Sequence, residues 1–138
     1  MRIAISVLLL SFATLSSAQN EEHPEYLIRS IYFGGGSYSI DSLQLADLQH
    51  FIDSIPDVNF YSISIHSHTD NIGGARYNEW LSGMRGGSVI HELVIKEISP
   101  NIIVIKDFGQ FNPVYDNSTF IGRIRNRRVD IIFWPMVF

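Results

Sequence analysis

No cysteine occurs among the 138 residues. Disulfides are therefore excluded, and so is a lipid anchor on an N-terminal cysteine. Long apolar runs are missing as well: beyond residue 18 nothing approaches the roughly 20 consecutive apolar residues that a spanning helix needs. Positive charge is scarce, with ten Lys and Arg against 14 Asp and Glu and a formal net charge of −4. Repulsion from nucleic acid and anionic lipid is the default for that sum, so neither is expected as a partner. The one basic cluster, Arg123, Arg125, Arg127 and Arg128, has the composition of a nucleic-acid footprint. The negative total and the export signal described below argue against that use.

Catalytic and metal motifs are also lacking. His66, His68 and Asp70 alternate, which turns them to one side of an extended strand, but no fourth ligand stands at a telling spacing and no His-Glu-x-x-His pattern occurs. No metal or other cofactor is expected. Ser82 and Ser88 have no convincing histidine–acid pair, although His91 is near Ser88. Asp70 and Glu79 carry no mark of desolvation that would make them a glycosidase pair. No catalytic residue is expected, and the chain reads as a binder rather than an enzyme.

What is present begins with a secretory signal. Met1-Arg2, the apolar run from Ile3 to Leu10, and Ser16-Ser17-Ala18 before Gln19 have the three-part layout of a cleaved leader. Residues 1–18 are thus expected to be removed, residues 19–25 to form a mobile polar lead, and residues 26–138 to fold as one domain.

Within that domain Tyr26–Phe33 is rich in aliphatic and aromatic residues and reads as a strand ended by Gly34-Gly35-Gly36. Three glycines in series imply a tight turn, a flexible loop or close approach of backbone to another group. Asp41 or Ser42 is placed to cap a helix to about Ser54, with Leu45, Leu48, Phe51, Ile52 and Ile55 on its apolar side. Tyr61, Ile63 and Ile65 alternate with Ser62, Ser64 and His66 in a second strand, Asn59–Ser67. A second helix is expected from Tyr77 or Asn78 to about Glu97, weakened by Gly83, Gly86 and Gly87 unless they permit close packing on the sheet. Ile102–Ile105 with Phe108 makes a third strand. A short turn region and an apolar tail from Val129, mostly a final strand, follow. Trp134 and Phe138 are left for the core or an edge. Strands and helices in this order predict an α/β two-layer sandwich with both helices on one face of a mixed sheet.

Asp70 at the end of the second strand and Arg85 in the following helix can meet in one cleft, which suits a ligand bearing an ammonium beside a carboxylate. The residues alone leave other roles open: a turn for Asp70, and a salt bridge from Arg85 to Asp70 or Glu79. His68 is expected to donate to a backbone carbonyl, and Arg128 to tie the last strand to Asp107 or Asp130.

Ser67-His68-Thr69-Asp70, Gly73, Tyr77-Asn78, Leu81-Ser82, Arg85, Phe108-Gly109, Asn112-Pro113, Gly122-Arg123 and Asn126-Arg127-Arg128-Val129 stand in this order along nearly the whole domain. In these motifs the chain resembles the OmpA C-terminal-like domain, a peptidoglycan-binding module found also in the peptidoglycan-associated lipoprotein and in flagellar stator proteins. The resemblance implies a βαβαββ fold in the periplasm. It also implies non-covalent, non-catalytic binding of peptidoglycan through the diaminopimelate of its stem peptide, linking the wall to the outer membrane or an associated complex. Asp70 and Arg85 then clasp the diaminopimelate, Asn78 and Arg127 lie close to it, and Thr69 and the backbone around Asp70 and Asn71 supply hydrogen bonds. A protein partner in the outer membrane or periplasm is expected with it. The chain departs from the pattern at Gly34–Gly36, where polar side chains are usual, at Ser67 for a glycine, and at Gly86 for an alanine. Loss of polar groups at 34–36 leaves one wall of the pocket to backbone atoms, and a periplasmic interaction scaffold with a degenerate pocket is the alternative reading.

Overall fold

A computed structural model describes residues 25–137. The expected signal peptide, nearly all of the polar lead, and Phe138 lie outside the described residues. The elements are β1 (Leu27–Tyr32), α1 (Ser42–Ser54), β2 (Tyr61–His68), α2 (Ala75–Ile95), β3 (Ile103–Gly109), α3 (Phe120–Asn126) and β4 (Arg128–Pro135), with single 3-10 turns before β2 and β3. The sheet runs β1-β4-β2-β3. β4 is antiparallel to both neighbours, whereas β2 and β3 are parallel, so the sheet is mixed as expected. Among the described residues no helix is long and apolar enough to cross a membrane.

Register follows from the alternation in β2. Ile63 and Ile65 are fully buried opposite Phe133 and Ile131 of β4, and each such side chain contributes roughly 1.5–3 kcal/mol. A slip of one residue would send both isoleucines to the other face, so the pairing is strongly specified. Leu48 and Ile52 of α1, and Val89 and Leu93 of α2, close the core from above. Asp41 caps α1 as its sequence position suggested, its carboxylate accepting from the amides of Leu43 and Gln44 at 3.1 and 3.0 Å.

Two elements differ from the sequence expectation. The region read as a short turn contains a seven-residue helix, α3. Its start is fixed by Thr119, whose hydroxyl accepts from the Gly122 amide at 2.9 Å, and Arg123 and Arg125 sit in its last turn, where cations suit the helix dipole. A helix this short has no apolar stripe to announce it. α2 begins at Ala75, before Tyr77, and ends at Ile95, because Glu97 adopts a left-handed φ of 63°.

The glycines of α2 divide between the two readings offered for them. A Cβ on Gly86 would lie 3.7 Å from Ile65 Cγ2 and 3.8 Å from Ser67 Cβ, so here the helix rides close on β2. Gly87 has nothing within 4 Å of that position and only weakens the helix. Gly122 is the opposite case: a Cβ there would stand 1.8 Å from the Asp116 carbonyl oxygen. Gly87→Ala should therefore raise unfolding free energy by about 0.5–1 kcal/mol, while Gly122→Ala lowers it through backbone displacement; urea denaturation of the two variants checks the opposite signs.

Candidate binding site

The site forms where β1 and β2 end beside the first turns of α2. Thr69 leaves the sheet with its amide still bonded to the Gly109 carbonyl at 2.8 Å. Asp70 then turns the chain, its Oδ1 accepting from the Ile72 amide at 3.0 Å. The Asn78 side-chain amide, buried on α2, donates to the carbonyls of Asp70 (3.3 Å) and Ile72 (3.0 Å) and to Gln110 Oε1 (3.0 Å). Asn78 thus holds the 70–72 turn in shape.

Arg85 is wholly buried. Its Nε donates to the Ser37 carbonyl at 2.8 Å, Nη1 to the His68 carbonyl at 3.2 Å and Nη2 to the Gly34 carbonyl at 2.9 Å. The guanidinium also lies over the Phe33 ring, 5.2 Å from its centroid. Burial lowers its pKa to about 10, an effect opposed by Asp70, and the group keeps its charge at neutral pH. A guanidinium has five N–H donors. Three are taken, which leaves one on each terminal nitrogen.

The glycine run is a tight turn, closed by the Ser37 amide donating to the Gly34 carbonyl at 3.1 Å. Gly36 at its third position has φ 68°, where a side chain is strained. This turn presents the Gly34 carbonyl to Arg85.

Asp70 pairs with Arg127, not with Arg85. Arg127 Nη1 lies 3.2 Å from Asp70 Oδ2, and the two side chains are 16% and 8% exposed. Arg127 also donates through Nε to the Phe33 carbonyl at 3.1 Å, which fixes it to the end of β1. The Asp70–Arg85 contact offered by the sequence is absent: Asp70 is taken by the Ile72 amide and Arg127, and Arg85 is held by three backbone carbonyls.

Asp70, Asn78, Arg85 and Arg127 line one cavity of about 280 Å³, together with Gly35, Gly36, Ile72, Gly73, Tyr77 and Leu81. Two guanidiniums face one carboxylate, a local excess of positive charge. Thr69 and Asn71 do not line it: Thr69 is buried with its hydroxyl on the Asp70 carbonyl at 2.9 Å, and Asn71 is exposed on the turn. Gln110 and Ile72 are participants that no sequence motif marked. A larger hollow of about 530 Å³ lies against the outer side of α2 and shares none of these residues.

Behind the site, on the sheet face away from the helices, His68 corrects one expectation. Its ring does not reach a carbonyl: Nδ1 has no hydrogen-bond partner and Nε2 is 3.7 Å from Asp130. Its backbone oxygen does the work instead, holding Arg85. Asp130 is bound by Arg128 Nε at 3.0 and 3.1 Å and by the Ser30 hydroxyl at 2.7 Å, so Arg128 takes the second of its two expected partners. Ser67, which replaces the family's glycine, donates to the Ser82 carbonyl and ties β2 to α2. Among the described residues no group of three or more candidate ligands could hold a metal.

The OmpA family profile matches residues 32–127. The chain belongs to the OmpA family. It is 43% identical over 74 residues to Outer membrane protein A of Bordetella avium, covering 54% of this chain and 38% of that protein. It is 30% identical over 102 residues to Peptidoglycan-binding protein ArfA of Mycobacterium tuberculosis, covering 74% of this chain and 31% of that protein. The chain thus spans well under half the length of these curated relatives. The fold matches the peptidoglycan-associated lipoprotein of Burkholderia pseudomallei with a TM-score of 0.70 at 27% identity, over 76% of this chain and 89% of that one. It also matches the C-terminal domain of Helicobacter pylori MotB with a TM-score of 0.66 at 22% identity, over 76% and 83%.

The buried His68 makes a pH prediction for this OmpA-family domain. Burial, with Arg128 adding and Asp130 opposing, lowers its pKa from 6.5 to about 4. The unfolded chain therefore binds the proton first as pH falls, so stability is full above pH 6.5 and declines between 6.5 and 4. The decline should reach at most roughly 3 kcal/mol. Urea titrations across that range should show the slope in the parent protein and a flatter one in His68→Phe, which keeps a ring against Phe108 without a titrating group.

Proposed function

We propose that this domain binds peptidoglycan without catalysis, by taking the zwitterionic end of a stem-peptide diaminopimelate into the cavity between Asp70 and Arg85. The observation that carries the reading is Arg85. Three backbone carbonyls fix its orientation and remove it from water, while two of its N–H groups stay unpaired beside a cavity that also holds a carboxylate. A ligand carboxylate suits those two donors, and its neighbouring ammonium suits Asp70, where it competes with Arg127. The excess positive charge favours a ligand with more carboxylate than ammonium, which a stem peptide is. Arg127 then faces the ligand's remaining carboxylates, Asn78 holds the Asp70 turn in shape, and Thr69 and Asn71 shape the loop from behind and outside.

The reading is supported by the family, by a relative named for binding peptidoglycan, and by the match to a peptidoglycan-associated lipoprotein. It places the domain in the periplasm, joining the wall to the outer membrane or to a protein complex there. The lining residues hold charge and donate hydrogen bonds; none forms a nucleophile with an adjacent base. A wall carrying lysine in place of diaminopimelate lacks the second carboxylate and leaves the Arg85 donors unpaired, a loss of about 1–3 kcal/mol.

Sedimentation with purified sacculi tests this. Parent protein should pellet with diaminopimelate-type sacculi, release no soluble muropeptides, and pellet at least about tenfold more weakly with lysine-type sacculi. Asp70→Asn keeps the turn but removes the charge, and Arg85→Lys keeps the charge but removes the fork; each should reduce binding about tenfold or more. Full binding by both variants, with circular dichroism showing them folded, would reject the cavity.

A further inference from the structure

The outer face of α2 carries an aromatic ledge that the cavity does not use. Tyr77 is 45% exposed, Trp80 49% and Tyr38 39%. Tyr77 and Trp80 have ring centroids 5.7 Å apart, and Tyr38 meets Trp80 edge-on at 6.0 Å. Three contiguous large rings left half in water form an exposed aromatic patch, and what distinguishes this one is its position between two concavities. The ledge is continuous with two concavities. Tyr77 lines the charged cavity at one end, and Tyr38 lines the 530 Å³ hollow at the other.

That hollow exists because α2 lacks side chains where it matters. Gly87, with nothing within 4 Å of a built Cβ, leaves a gap between Met84 and His91. The opposite wall is the 38–40 segment, held to α2 by the Ser88 hydroxyl donating to the Tyr38 carbonyl at 2.6 Å. Its lining contains no Lys or Arg and one carboxylate, Glu92. An anionic ligand is disfavoured there. A neutral, hydroxyl-rich ligand with one apolar face is favoured, since aromatic faces accept C–H edges and the polar rim accepts hydroxyl and amide groups.

We propose that the Tyr77–Trp80–Tyr38 ledge and the adjoining hollow bind N-acetylated sugar rings of the same polymer whose stem peptide enters the cavity. This rests on the cavity reading, because the shared residue Tyr77 is what places sugar and peptide side by side. The charged cavity selects the peptide, and the ledge adds affinity for the glycan to which it is attached. Two weak contacts on one covalent ligand act together, the second at high effective concentration.

The test compares three soluble probes on the full protein by calorimetry: a diaminopimelate stem peptide, the same peptide carried on its disaccharide, and an N-acetylglucosamine oligomer. The disaccharide form should bind about five- to tenfold tighter than the bare peptide, and Trp80→Ala should abolish that gain while leaving peptide affinity unchanged. Trp80 and Trp134 are the only tryptophans. In Trp134→Phe the remaining indole should therefore change its emission on adding the oligomer.

Equal affinity of peptide and disaccharide form, or equal loss of both in Trp80→Ala, would overturn the ledge and leave the cavity intact. Binding of the oligomer that Trp80→Ala removes, with no binding of peptide, would reject the cavity and, with it, the side-by-side arrangement, leaving only a sugar-binding ledge. Binding of none of the probes would reject both. Self-association that Trp80→Ala abolishes, without any response to sugar, would assign the surface to a second copy and overturn the proposal.

Discussion

A guanidinium buried without solvent must find acceptors inside the protein, and in this domain Arg85 finds three backbone carbonyls. They come from two sides, the turn after β1 and the end of β2, so one charged group on α2 sets the distance between them. The glycine turn owes its shape to this demand: it must present Gly34 and Ser37 oxygens inward. His68 serves through its carbonyl, while its ring is packed away on the far side of the sheet. Withdrawing the charge would leave three carbonyls to be satisfied in other ways, and the wall of the cavity would have no reason to stay closed.

The second constraint is the balance of charges around the cavity. Asp70 is spoken for by its own turn and by Arg127, while Arg85 is spoken for by carbonyls. The two arginines are therefore held in different ways. One is fixed by carbonyls without a carboxylate; the other neutralises Asp70. The glycine turn contributes no polar side chains, so the charged groups along the cavity are Asp70, Arg85 and Arg127 alone.

α2 has one buried face, which changes from polar to apolar along its length, and one outward face. Val89 and Leu93 point into the core, Asn78 and Arg85 build the cavity, and Trp80, Met84 and His91 form an outward surface beside Gly87. The sequence of α2 therefore carries no clean apolar stripe. A buried face that is apolar throughout gives a clean period, whereas one that carries Asn78, Ser82 and Arg85 in its first half, with Trp80 left in water on the opposite side, does not. The glycines follow the same division: Gly86 lets the helix sit on β2, and Gly87 opens its outer side.

Much of this was legible beforehand for local reasons. Period-two alternation marked β2, an aspartate ahead of an apolar helix marked α1, and ordered motifs marked the family and the grouping of Asp70, Asn78, Arg85 and Arg127. α3 was not legible, since seven residues are too few for a periodic signal and its cap rests on a single threonine. The partner of Asp70, the carbonyls on Arg85, the part played by Gln110 and the isolation of the His68 ring were decided only when distant segments met. The amino-acid order alone determined which residues alternate, cap and turn, because those preferences act over a few neighbours. Which acceptor each buried charge would take was decided by the tertiary structure, because desolvated groups bind whatever packing brings within 3 Å or so, and sequence separation carries no information about that.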